Sequence, residues 1–282
     1  MRARILPLVL LLAGCAGGKA VAPQDETLAQ AMESGRQSVA LDRLSVAESQ
    51  YRLAGTRAVA RDDAPAIGDA GYNLAVVQLA QDRPADALST VAATRGALAL
   101  RGHGGGDAEL DLVQAAALHR LSRDAEAAPL AASAMASPDP ATTEQAALLG
   151  GLIADARGDR ATLAAAAARL AHTRPVPAKW QADEDELRAR MVLATDPATA
   201  RDLARHAADL RQGIVDYRGM ARALTLAARA AGQAGDAQGA AALSLQAAQS
   251  MKAQGVKGRD VKGQGMQPVI TGPDPFATPS GT

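Results

Sequence analysis

Four consecutive acidic residues, Asp183-Glu184-Asp185-Glu186, form the densest set of proton-handling groups in the sequence. Neighbouring carboxylates can act as the acid and base of a hydrolysis when their surroundings separate their proton affinities. This run falls just after Trp180, where a helix is expected to start and where negative charge suits the helix dipole, so it reads as capping. The four histidines, His103, His119, His172 and His206, lie at no metal-ligand spacing and read as solvent-facing helix residues. Cys15 is the only cysteine, which leaves it without a disulfide partner in the chain and without companions for a metal site. Neither a catalytic residue nor a cofactor is expected, and the chain reads as non-enzymatic.

The element that organises the sequence is Gly71 to Val91, GYNLAVVQLAQDRPADALSTV. Proline is excluded from a helix interior but suits its first turn, so Asp82-Arg83-Pro84 ends one helix and begins another. Leu74, Val77 and Leu79 make an apolar stripe before the break, and Ala87, Leu88 and Val91 make one after it. Neither helix can cover its stripe alone, so the pair needs neighbours. With one Trp, one Phe and three Tyr against abundant alanine, the core must be built from helices in close approach rather than from a sheet. The formal charge is zero, and without Arg2 and Arg4 the chain carries 28 basic against 30 acidic residues, so nothing attracts nucleic acid.

The chain begins with Arg2 and Arg4, an apolar run from Ile5 to Leu12, and then small residues, which is the layout of a secretory leader. Eight helical residues span about 12 Å, too short for a permanent membrane crossing. Leu12-Ala13-Gly14-Cys15 resembles the lipobox of bacterial lipoproteins. That resemblance implies a signal peptide over 1–14, a diacylglyceryl thioether and an acylated amino group on Cys15, and durable anchoring by several acyl chains. Ala16 stands where aspartate commonly marks inner-membrane retention, which points to the periplasmic face of the outer membrane. Residues 15–25 read as a flexible tether.

The hairpin grammar then recurs. Ala47, Ala87 and Ala127 are spaced by forty residues, each shortly after a break containing aspartate: Asp42-Arg43, Asp82-Arg83 and Asp124. Gly158-Asp159 before Leu163, Thr195-Asp196-Pro197 before Ala200, and Gly235-Asp236 before Ala240 extend the series. A period of 36 to 40 residues is the mark of a helical solenoid. In this respect the chain resembles the tetratricopeptide repeat (TPR) family. Gly35, Ala75, Ala115, Gly151 and Ala228 match the family's small first-helix position, with Arg188 a departure. Ala47, Ala87, Ala127, Ala200 and Ala240 match its second-helix alanine, with Leu163 the exception, and Pro175 matches its closing proline. The resemblance implies an all-α, right-handed α-solenoid of about six TPR-like hairpins over 26–254.

The insertion Arg101-Gly-His-Gly-Gly-Gly-Asp107 cannot hold a helix and reads as a mobile loop. A His-Gly-Gly-Gly run can supply an oxyanion cradle, but the Gly-x-Ser-x-Gly elbow that would accompany it is absent from the sequence. Residues 255–282, rich in Gly and Pro, read as a disordered tail whose basic start (Lys252, Lys257, Arg259, Lys262) is either solvated or in contact with phosphate groups. Trp180 reads either as a filler between helices or as a partner anchor.

What remains is surface. In the family, first helices line a concave side that holds a peptide or a partner helix. Carrying those groove positions over by the same alignment gives Glu33, Arg36, Asp69, Asn73, Glu109, Arg120, Glu186, Arg222 and Arg229. Their mixed signs suggest hydrogen-bonded recognition of a peptide. The family's two-lysine, two-asparagine clamp for a carboxylate terminus is missing. The expected function is a non-enzymatic, outer-membrane-anchored scaffold or adaptor for envelope proteins in assembly or secretion, with no small-molecule substrate. The alternatives are a peptidoglycan-associated enzyme activator or wall-binding lipoprotein acting through the basic tail, and a structural lipoprotein that self-associates through its solenoid ends.

Overall fold

The computed structural model describes residues 25–171 and 176–260, with side chains to residue 252. Twelve helices account for nearly all of it: α1 (Glu26–Ala40), α2 (Leu44–Ala60), α3 (Ala64–Ala80), α4 (Pro84–Ala99), α5 (Ala108–Arg120), α6 (Asp124–Ala134), α7 (Pro140–Ala156), α8 (Arg160–Leu170), α9 (Ala178–Val192), α10 (Pro197–Gly213), α11 (Tyr217–Gln233) and α12 (Ala237–Asp260). No strand occurs among the described residues. The leader, Cys15, Ala16, His172, Pro175 and the tail from 261 lie outside them. Helix α12 runs to Asp260, past the Gly255 at which the sequence pattern places the start of the tail.

One turn joins helix to helix again and again. The second residue of the break is left-handed at Asp42, Asp62, Asp82, Ser122, Gly158, Val215 and Gly235. The next N–H then bonds back five residues, from Arg43 to Ser38 O at 2.7 Å, Arg83 to Gln78 O at 2.9 Å, Arg123 to Leu118 O at 2.9 Å and Asp159 to Ala154 O at 2.8 Å. This arrangement satisfies carbonyls that a helix end would otherwise orphan, and it explains why Asp and Gly, which tolerate the left-handed region, mark the breaks. Helix starts follow two rules. Asp25, Asp63, Asp107, Asp139, Asp159, Asp196 and Asp216 each accept a bond from a first-turn N–H, worth about 1 kcal/mol apiece. Arg43, Arg83 and Arg123 occupy the same position forty residues apart without a capping bond. Two of them reach forward to an acid of the new helix instead, Arg83 to Asp86 and Arg123 to Glu126.

Each helix packs on the next, and second-neighbour contacts run α3 to α5, α5 to α7, α7 to α9 and α9 to α11. Odd-numbered helices therefore share one side of a solenoid-like array. The core is a succession of small clusters rather than one ball, passing from α1–α3 through α5–α7 to α9–α12. The forty-residue alanines Ala47, Ala87 and Ala127 are wholly buried, as are Leu163 and Ala200. Ala240 is only partly buried, and among the described residues no helix follows α12 to cover it. Small residues let the pairs close up. A methyl group on Gly35 would stand 2.6 Å from the Tyr51 ring, and one on Gly151 would stand 2.6 Å from Leu187 Cδ1. In α9 the small position falls one residue later than the alignment puts it, since Arg188 is exposed and Ala189 is fully buried.

The array curls far enough to meet itself. Arg218 of α11 donates to Ala80 O at the end of α3, at 3.2 Å across 138 residues of sequence, and lies 3.6 Å from Asp82 in the α3–α4 turn. Arg120 of α5 donates to Leu79 O and stands 4.0 Å from the same Asp82.

Candidate functional site

The curl encloses a cavity of about 800 Å³ on the side where odd-numbered helices meet. Tyr72, Val76 and Leu79 come from α3, Leu112 and Val113 from α5, Leu148, Leu149 and Leu152 from α7, and Ala221 from α11, so its floor is apolar. Met251 of α12 also reaches it. The polar groups gather where α5, α9 and α11 converge: Arg120, Lys179, Asp183, Asp216, Arg218 and Arg222, with His119 beside them. A shaped apolar space with a few convergent polar groups is the usual form of a ligand site, and the volume falls within the usual range of about 300–1,000 Å³.

Beneath this wall lies an ionic network that corrects the sequence reading of the acidic run. Asp183-Glu184-Asp185-Glu186 does not cap a helix. It occupies the middle of α9, whose N-cap is Pro177 with no side-chain bond, and all four residues are buried. Four successive helical positions are about 100° apart and cover almost every face, so they cannot all point to water. Each has a cation. Asp183 accepts from Arg211 Nη2 at 2.7 Å and Lys179 Nζ at 3.0 Å. Glu184 faces Arg188 at 3.6 Å. Asp185 Oδ2 is 2.7 Å from His206 Nδ1. Glu186, 0% exposed, accepts from Arg222 Nε at 2.6 Å and Nη2 at 2.9 Å, from Arg190 Nη2 at 3.0 Å, and from Arg211. Arg190 also reaches Asp155 at 2.7 Å, and Arg211 donates to Gly219 O at 3.0 Å. Burial alone would push the Glu186 carboxyl up, but Arg222, Arg211 and Arg190 together hold it far below the usual carboxylate range. Burial likewise disfavours the Arg222 charge, and Glu186 more than restores it, raising its proton affinity. A carboxylate locked among three guanidiniums and closed to water can neither take up nor release a proton near neutrality, so this cluster fixes the geometry of α9, α10 and α11.

Of the residues carried over as groove contacts, the structure brings Arg120 and Arg222 into the cavity. Glu186 lies directly beneath Arg222 and is sealed off, so it cannot touch a partner. Glu33 and Arg36 pair with each other at 2.8 Å on exposed α1, away from the cavity. Asp69 and Glu109 line a separate hollow of about 370 Å³ beside the glycine-rich loop, together with His103 and Asp107. Burial first, then the neighbouring carboxylates, raise the proton affinity of both Asp69 and Glu109. Asn73 donates to Asp69 O of its own helix at 2.7 Å. Arg229 is exposed on α11 and does not line the cavity. The alignment missed Lys179, Asp183 and Arg218, because the curl that places them depends on contacts between distant units.

The histidines are also less bland than their spacing implies. His119 Nδ1 is 2.6 Å from Asp124 Oδ1, and His206, though exposed, faces Asp185. Trp180 is partly buried at the start of α9. No group of three or more His, Cys, Asp or Glu side chains could hold a metal ion among the described residues, and none of their helices is long and apolar enough to cross a membrane.

No protein-family model matches the chain, and no curated protein or solved structure is detectably similar to it.

Proposed function

We propose that the chain is a non-enzymatic adaptor of the bacterial envelope. In this reading it is a right-handed solenoid of six TPR-like hairpins, acylated at Cys15 and held at the periplasmic face of the outer membrane, with a segment of a partner protein laid along the side formed by α3, α5, α7, α9 and α11. The observation that carries the reading is the cavity on that side, where side chains from every one of these helices converge on an apolar floor with arginines along one wall. Carboxylates near it are already engaged in ion pairs or, like Asp216, in a helix cap. That arrangement suits holding something better than transforming it. The lipobox Leu12-Ala13-Gly14-Cys15 supports the location.

Two measurements test the two halves of the reading. A photo-crosslinking residue at Leu148, inside the cavity, should give discrete protein adducts in cells, while the same residue at Leu53, exposed on α2, should not. Equal labelling from both positions would refute the groove. Cys15→Ala should move the protein from the membrane fraction to the soluble fraction, and unchanged retention would remove the anchor.

A further inference from the structure

The polar groups of the cavity differ in how their charges are balanced. On the α9 wall, Asp183 is matched by Arg211 and Lys179, and Glu186 by Arg211, Arg222 and Arg190. Asp216 accepts from Gly219 N at 2.9 Å as the cap of α11 and lies 3.8 Å from Arg211 Nε. Beside them Arg120 and Arg218, from helices far apart in sequence, share one carboxylate. That is Asp82, at 4.0 and 3.6 Å, and its side chain is 80% exposed. Their other partners are backbone carbonyls, Leu79 O and Ala80 O. Burial, and then the nearby Arg218 and Arg222 cations, lower the proton affinity of Arg120 to about 10. Two guanidiniums with ten N–H donors between them, one solvent-exposed carboxylate and an adjoining apolar chamber make a site with surplus positive potential at its mouth.

We infer that the cavity binds a small anionic amphiphile of the long-chain carboxylate class, its hydrocarbon chain lying on Leu79, Val113, Leu148 and Leu149 and its head group bridging Arg120 and Arg218. A chain without a charge would leave the two cations as they are. A cationic amphiphile would add to them. A highly charged soluble anion would gain nothing from the apolar floor, whereas a single carboxylate on a hydrocarbon chain satisfies both features at once. Because the head group joins α5 and α11 beside the α3–α4 turn, the bound ligand also holds the curl closed. The inference rests on the cavity and not on the adaptor reading, since a chain that captures no protein could still hold the amphiphile.

The test is isothermal titration of the full chain carrying Cys15→Ala with three probes of equal chain length, laurate, dodecanol and dodecyltrimethylammonium, each below its micelle-forming concentration. Laurate should bind one-to-one, dodecanol at least about tenfold more weakly, and the ammonium probe not at all, because a charge-assisted pair separates the heads. Arg120→Gln and Arg218→Gln should each weaken laurate about five- to tenfold, with Arg229→Gln unchanged and a thermal melt confirming that each variant folds. If Arg120→Gln fails to fold, Arg218→Gln and the head-group series still decide. Absence of saturable laurate binding, or equal affinity for all three heads, overturns the proposal. So does an amphipathic helical peptide that occupies the cavity and that laurate cannot displace, an outcome that would leave the adaptor reading standing.

Discussion

Removing the Glu186 carboxylate should unlock the second half of the molecule. In Glu186→Gln the neutral amide can still accept one or two hydrogen bonds but cannot balance three guanidiniums. Arg222 and Arg190 retain some exposure and can regain water, whereas Arg211, 1% exposed, cannot. Breaking a buried pair from one side costs about 3–5 kcal/mol. Arg211 keeps Asp183 at 2.7 Å, which places the expected cost near the lower end, about 3 kcal/mol. Urea unfolding followed by the fluorescence of Trp180, the single tryptophan and itself on α9, reads this region directly. Adding Arg211→Met to Glu186→Leu should not recover the loss, because it leaves buried Asp183 with Lys179 alone and Arg222 without its carboxylate. The same group sets an acid limit. Its folded-state proton affinity lies below the ordinary glutamate value of about 4.3, so its contribution is complete above that pH and disappears as pH falls toward the lower folded value. Wild type should lose stability below about pH 4 more steeply than Glu186→Gln, in which this group no longer titrates. A loss under about 1 kcal/mol at neutral pH, or identical acid profiles, would show that the network is dispensable and that packing alone orders α9 to α11.

Two substitutions examine the turns and the helix contacts. Val215, a residue 57% exposed, holds a left-handed φ of 63°, a conformation that costs a residue with a Cβ about 1–2 kcal/mol. Val215→Gly should therefore raise the urea midpoint, and a lower midpoint would mean that the side chain contributes more than its backbone costs. Gly151→Ala should destabilise by about 1–3 kcal/mol because the new methyl meets the enclosed Leu187. The neighbouring Gly150→Ala meets only the Met135 side chain, nearest at Cε 3.6 Å, and should gain up to about 1 kcal/mol in helix propensity. Calorimetric melts showing the same sign for both would contradict the close-approach argument.

Much of the architecture was legible because it is written locally. Asp82-Arg83-Pro84 fixes a helix end and a helix start with no help from elsewhere, and Ala47, Ala87 and Ala127 mark the buried side of successive outer helices at constant spacing. What failed was non-local. The acidic run on α9 resembles a cap until Arg211 and Arg222, 25 and 36 residues further on, are brought against it. The crowding of four charges onto adjacent positions of one helix was itself a signal that some of them must face inward. The family alignment placed Arg120 and Arg222 in the groove but also proposed Glu33, Arg36 and Arg229, because matching positions within a unit says nothing about how far the array curls. Arg218 could not have been found that way, since its partners belong to a turn 138 residues earlier.

The meeting of Arg218 with Ala80 and Asp82 also sets an order of assembly. Nearly every other contact joins helices that are adjacent or nearly so along the chain, so as synthesis proceeds each hairpin can settle on the one before it without waiting for anything downstream. The cavity is different: its far wall arrives only with α11, when most of the polypeptide is already in place. The pocket is thus among the later parts of the molecule to form, and truncations that spare the early hairpins would leave helices facing an open trough.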